Sequence, residues 1–153
     1  MVNIGALLGL TGWRREIFIT GLHAAWLMKR YPGVDVAVSL PRMRPHAGAF
    51  QPASPVSDRE LVQAMTALRI FLPRLSITIS TRETPSFRDN ILPLGVTRMS
   101  AGVSTAVGGH AKAGETGQFE ISDPRSVDEV CAMLKKRGYQ PVFKDWEPLE
   151  ASA

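Results

Sequence analysis

A single cysteine, Cys131, is the first limit on this chain of 153 residues. One thiol excludes an internal disulfide and any metal site built from several cysteines, and it fits a reducing cytoplasm. Long apolar runs are missing too, and no stretch is long enough to span a bilayer. The opening residues, MVNIGALLGLTGWRRE, carry their charges after the apolar run, the reverse of a secretory signal. Repeats, low-complexity tracts and long linkers are absent, so one structural unit is expected. With 44% hydrophobic and 21% charged residues, that unit is globular rather than disordered. The net charge of +4 raises the question of nucleic acid. The basic residues are scattered, however, from Arg14 and Arg15 to Lys135, Lys136 and Arg137. No interleaved strip of aromatic and basic residues accompanies them, which argues against that partner.

Strand and helix signals alternate along the chain, the order of a parallel sheet with helical crossovers. Residues 2–9 read as a buried strand. A helix from about Gly12 to Tyr31 follows, stopped by Pro32 and Gly33, with a polar stripe of Arg15, Glu16, His23 and Arg30. His23 is therefore a surface residue. Residues 34–41 form a second strand, and 41–56 a connection rich in Pro and Gly whose length suggests function. Ser57 and Glu60 make a capping box for a helix whose core stripe is Leu61, Ala64, Met65, Leu68 and Leu72.

In the third strand, 76–81, Ile77 and Ile79 face one way, and Ser76, Thr78, Ser80 and then Arg82 the other. Thr84 and Pro85 occupy the N-cap and first position of a short helix. The fourth strand is about 96–102. A last helix, about 127–137, opens on the capping box Ser126 and Glu129 and closes at Gly138. Val127, Val130, Cys131 and Leu134 share its apolar face, which places Cys131 in the core.

Six segments carry a family likeness: GALLGL at 5–10, SLPRMRP at 39–45, FQP at 50–52, VSDRELVQ at 56–63, SITISTRETPSFRDNILPLGVTRMSAGVSTAVGG at 76–109 and QFEISDPRSVDEV at 118–130. In this order they resemble the last barrel strands of the tyrosine lyases of the radical S-adenosylmethionine (SAM) class. The implied fold is α/β: the C-terminal half of a (β/α)8 TIM-type barrel, about four parallel strands with flanking helices. It would cover residues 1–146, with 147–153 as a tail. A complete barrel takes about 250 residues. A half barrel would leave two sheet edges and an apolar lumen face uncovered, and so be marginal, self-associating or paired with its missing half. The class also needs a CxxxCxxC triplet, which this chain lacks. The 4Fe-4S ligands are expected on an N-terminal half barrel, in the same or another chain, and this chain alone is expected to be inactive.

In such barrels ligands sit at the C-terminal ends of the strands. Gly5, Leu7 and Gly9 resemble the glycine-spaced motif lining the SAM adenine, since glycine lets a flat base approach and leucine offers an apolar face. A tight packing contact would explain the same spacing. Arg42 and Arg44, between prolines, are suited to grip a carboxylate or phosphate, and the resemblance implies that Arg42 holds the SAM carboxylate or shapes the substrate site. An ion pair at the barrel rim is the other reading of Arg42. His46 lacks ligand partners, so no metal role is expected. By resemblance Arg82 binds the carboxylate of tyrosine, and Ser100 lies near its amino group. Pairing of Arg82 with Glu83 or Asp89 is the competing explanation. Gly102, Gly108 and Gly109 would let the next loop close over the site. His110, Val107 and Val103 stand where relatives usually have tyrosine, often proline, and commonly serine.

The implied chemistry begins with one electron passing from the cluster to SAM, giving a 5′-deoxyadenosyl radical that takes a hydrogen from the tyrosine amino group. Cleavage between Cα and Cβ gives p-cresol and 2-iminoacetate (dehydroglycine), which feeds the thiazole synthase machinery of thiamine biosynthesis. A second branch matures iron hydrogenase and carries an additional C-terminal region with cysteines. The tail KDWEPLEASA has none, so the thiamine branch is expected. The alternative class is non-catalytic: a truncated remnant, or a subunit completing another chain's barrel.

Overall fold

Residues 1–43, 50–104 and 121–143 are described by the computed structural model of the chain. Four strands, β1 (Val2–Ile4), β2 (Val36–Ser39), β3 (Ser76–Ile79) and β4 (Arg98–Met99), form a parallel sheet in the order β1-β2-β3-β4. The crossovers are α1 (Trp13–Arg30) and α2 (Asp58–Phe71), then α3 (Pro85–Ile91) with a 3-10 turn at Leu92–Leu94; α4 (Val127–Lys136) follows β4. No helix among the described residues is long and apolar enough to cross a membrane.

Local chemistry accounts for the helix ends. The Ser57 hydroxyl accepts from the Glu60 amide at 3.3 Å while the Ser57 amide donates to the Glu60 carboxylate at 2.9 Å, the reciprocal box that opens α2. Ser126 and Glu129 repeat it at α4. Thr84 caps α3 through the Phe87 amide, with Pro85 in the first turn. α1 starts at Gly12 without a side-chain cap, but Glu16 in its first turn and Lys29 and Arg30 in its last complement the helix dipole.

The core lies between helices and sheet. Leu61, Ala64, Met65 and Leu68 of α2 pack with Ile17 and Ala24 of α1 against Val36, Val38, Ile77 and Ile79. Each fully buried Val, Leu, Ile or Met side chain contributes about 1.5–3 kcal/mol. The strand register puts Asn3, Ala37, Ser39, Ser76, Thr78 and Arg98 on the opposite, inner face. This corrects the expected apolar lumen face: the inner positions are small or polar, where packed barrel interiors carry bulky branched side chains.

Three further expectations are revised. β1 is three residues rather than eight, and Val2 and Leu7 are exposed, because β1 is an edge with a neighbour on one side only. β4 is two residues, although the Thr97 and Ser100 amides extend its pairing to Ile77 and Ile79. Cys131 is half-buried, since α4 buries only Val130 fully and leaves Val127 exposed. His23 is exposed, as its stripe predicts.

Candidate functional site at the strand ends

Beyond the named strands the first two chain segments stay paired. The Leu8 amide donates to Pro41 O and the Met43 amide to Leu8 O, both at 2.8 Å, which brings Gly5–Gly9 beside Arg42. Gly5 has a packing reason to be glycine: a Cβ there would lie 1.8 Å from the Ser39 carbonyl oxygen. Leu7 is 42% exposed beyond the edge strand. Gly9 has φ +121° and is buried beneath Met43 and Pro52, so it turns the backbone rather than presenting a surface.

Arg42 is only 4% exposed. Its Nε donates to Glu83 Oε1 at 3.0 Å, its Nη1 to the Val56 carbonyl at 3.0 Å, and its Nη2 meets Glu83 Oε2 and, at 2.7 Å, Asp58 Oδ1. The guanidinium also lies 5.3 Å from the Phe87 ring centroid. Burial alone would lower the Arg42 pKa, but the bonds and charge of Glu83, then Asp58, outweigh it and raise the pKa. This is the rim ion pair that the sequence left open beside ligand binding. The fork ties β2 to the end of β3 and to the first turn of α2.

Arg82 and Glu83 lie past the end of β3 in a turn closed by the Glu83 amide, which donates to the Ser80 carbonyl at 3.3 Å. Glu83 is buried against Arg42, while Arg82 is half-buried. Its amide donates to the Ser80 hydroxyl at 3.3 Å. Burial lowers the Arg82 pKa, and the charge of Glu83 opposes this only in part. The local environment therefore disfavours the cation on balance, and a bound carboxylate would offset that cost. Of the two carboxylates weighed as its partners, Glu83 is forked by Arg42 and also acts on Arg82 through its charge, and Asp89 accepts from Arg125 at 2.8 Å.

Ser100 sits on the neighbouring strand end. Its amide donates to Ile79 O at 3.2 Å and its hydroxyl to the same oxygen at 3.5 Å. Gly102, at φ +61°, turns the chain so that its amide reaches Arg125 O at 3.1 Å. Behind these residues lies a network that the sequence reading missed. Arg88 of α3 is fully buried and donates to the Asp123 carboxylate and to the Ser100 carbonyl. Arg125 grips Asp123 and Asp89. Arginine inside a seven-residue helix of mixed polarity gave no local sign of burial.

Arg44, His46, Val107, Gly108, Gly109, His110 and the tail lie outside the described residues. Val103 is exposed. Among the described residues no three His, Cys, Asp or Glu side chains group as a metal site. One thiol in the whole sequence does not fit the thiolate set of an iron–sulfur cluster. Leu7, exposed past the end of β1, offers an apolar side chain that would fit an adenine, while the Cβ position of Gly5 is closed by the Ser39 carbonyl.

A profile of the Biotin and Thiamin Synthesis associated domain matches residues 39–140, which include Arg42, Arg82, Arg88, Ser100 and Asp123. The chain belongs to that family. This Biotin and Thiamin Synthesis associated chain is 40% identical to 2-iminoacetate synthase of Escherichia coli K12 over 148 residues, 95% of its own length and 39% of that enzyme's. It is 38% identical, with the same coverage, to 2-iminoacetate synthase of Salmonella typhimurium LT2. Among solved structures it superposes on HydG, a maturase of the FeFe-hydrogenase, with a TM-score of 0.78 at 34% identity, covering 90% of this chain and 30% of that one. HydG from Carboxydothermus hydrogenoformans gives 0.79 at 36% identity, covering 92% and 32%. The chain thus spans about two fifths of the curated relatives it matches, corresponding to their C-terminal part. Its sheet and helices are part of the TIM barrel of these radical SAM enzymes.

Proposed function

We propose that this chain supplies the substrate-binding half of a radical SAM lyase that cleaves tyrosine between Cα and Cβ, giving 2-iminoacetate and p-cresol for thiamine thiazole formation. One observation carries the reading. Arg82, at a strand mouth where burial disfavours its charge, lies in a chain 40% identical to a 2-iminoacetate synthase. Its guanidinium would take the tyrosine carboxylate in a two-pronged grip. Ser100, one strand over, would stand near the amino group. Arg42 would act from behind: by forking Glu83 it fixes the backbone from which Arg82 projects. Leu7 would face the SAM adenine, with Gly5 and Gly9 shaping the backbone beneath.

SAM, reduced at a 4Fe-4S cluster, supplies the one-electron chemistry when bound. The cluster's thiolates must come from outside this sequence, from an N-terminal half barrel in a longer or separate chain. What these residues contribute is orientation of the amino acid and exclusion of water. The iminoacetate product would pass to the thiazole synthase machinery, in the cytoplasm. HydG is the basis of a second reading, a tyrosine lyase of hydrogenase maturation, which the superposition favours. The single cysteine favours a third, in which the chain is a remnant or only completes another chain's barrel.

The test is to co-express the chain with the portion of the E. coli relative that it does not match. The cluster is then reconstituted anaerobically, and p-cresol is assayed with SAM, reductant and tyrosine. Stoichiometric p-cresol is expected. SAM cleavage without p-cresol would reject the tyrosine-lyase reading.

A further inference from the structure

Arg88 and Asp123 form a closed circuit with the two strand ends that carry Arg82 and Ser100. The Asp123 amide donates to the Thr81 carbonyl at 3.0 Å, one residue before Arg82. The Asp123 carboxylate accepts from Arg88 Nη1, and Arg88 Nη2 donates to the Ser100 carbonyl. The Ser100 amide returns to Ile79 at 3.2 Å, closing the circuit on β3. Both side chains of the pair are fully buried. We infer that Arg88 and Asp123 are positioning residues: a buried strut that sets the spacing of Arg82 and Ser100 without touching a ligand.

Stability alone is a poor reason for such a pair, because apolar residues of similar volume often stabilise a buried site as well or better. A planar fork adds direction, which apolar packing does not. Here the fork spans one carboxylate and one main-chain carbonyl, leaving Arg88 Nε buried without a partner. Arg125 holds Asp123 from the other side through Nε at 2.9 Å and Nη2 at 2.7 Å, and is itself braced by Asp89. The Ser122 amide also reaches the Thr81 carbonyl at 3.0 Å. The chain re-entering at 122–123 is thus locked to the base of Arg82, and Arg88 transmits that lock to Ser100.

The inference rests on the tyrosine-binding reading of Arg82, and its test separates the two. Asp123→Asn and Arg88→Lys are compared with Arg82→Ala in the assembled lyase, at a temperature where circular dichroism shows each variant folded. Titration calorimetry reads tyrosine and SAM separately. Amide hydrogen exchange on the 153-residue chain reads residues 81–83 and 100–102. Both strut variants should weaken tyrosine about tenfold through misplacement of its grip, leave SAM affinity within about twofold, and speed exchange at 100–102. Unchanged tyrosine affinity beside a lower Tm would reduce the pair to a plain stabiliser, and equal loss of both ligands would mean general loosening. Either result overturns the strut. If Arg82→Ala leaves tyrosine binding intact, the functional reading fails instead, and exchange at 100–102 still decides the strut. Should Asp123→Asn not fold, Arg88→Lys carries the test, since it keeps the charge and removes only the fork.

Discussion

Two strand mouths each present an arginine, and the protein treats them differently. At the end of β2, Arg42 meets carboxylates supplied from within: Glu83 and Asp58 more than offset the cost of its burial and raise its pKa. At the end of β3, one residue from that same Glu83, burial of Arg82 outweighs the help it receives and its pKa falls. A lowered pKa does not by itself mark a ligand site, since that of the buried Arg88, paired with Asp123, is lowered too; on the proposed reading Arg42 is scaffold and the half-buried Arg82 meets a carboxylate that arrives from solution. Arginine at a barrel mouth is therefore not enough to mark a ligand site. What distinguishes the two is depth: Arg42 is buried against Glu83 and Asp58, and Arg82 is half-buried in the turn after β3.

Breaking the first mouth should have the largest effect on folding. Glu83→Ala leaves the buried Arg42 with only Asp58 and the Val56 carbonyl, and removal of one partner of a buried pair costs up to about 3–5 kcal/mol. Urea denaturation should show a loss of this size, and a loss below about 1 kcal/mol would return Arg42 to the ligand-binding candidates. Next is Gly5→Ala, whose methyl would collide with the Ser39 carbonyl. About 1–3 kcal/mol is expected, as for overpacking, with β1 separating from β2. Faster amide exchange in residues 2–8 checks this.

The second mouth is sharpened by acid. Burial alone would raise the Asp123 pKa, but bonds from Arg125 and then Arg88 hold it below the ordinary value of 3.8. A carboxyl whose folded pKa is depressed contributes stability that is complete above its unfolded pKa, and that stability is lost as pH falls through the folded value. The urea midpoint should thus fall below about pH 4, and Asp123→Asn should remove part of that dependence. The smallest effect is at the cap. Ser57→Ala loosens the first turn of α2, which brings Asp58 to Arg42, for about 1 kcal/mol by thermal melting.

Much of the fold was legible in the sequence because its signals are local. Both capping boxes, the Thr84–Pro85 helix start and the Leu61–Leu68 stripe depend on residues a few positions apart. The length of β1 was not, because an apolar run such as GALLGL looks alike at a sheet's edge and its centre. The polar inner face was written in the alternation of Ser76, Thr78 and Ser80. It departs from the apolar lumen that barrels usually have. Strand periodicity does not reach Arg82, which lies in the turn after β3. The partner of Arg42 was not legible either, because Glu83 is 41 positions away. Arg88 and Asp123, 35 positions apart, were invisible for the same reason. Long-range ion pairs have no period.

Tyrosine affinity of Arg82→Ala in the completed barrel, measured beside the wild-type chain with Tm and SAM affinity as controls, tests the distinction between the two mouths most directly. Loss of a charge-assisted grip of about 1.5–3 kcal/mol should weaken tyrosine roughly 10- to 100-fold, with Tm and SAM binding unchanged. Equal tyrosine affinity in the variant and the wild type would contradict the assignment of Arg82 as the carboxylate site.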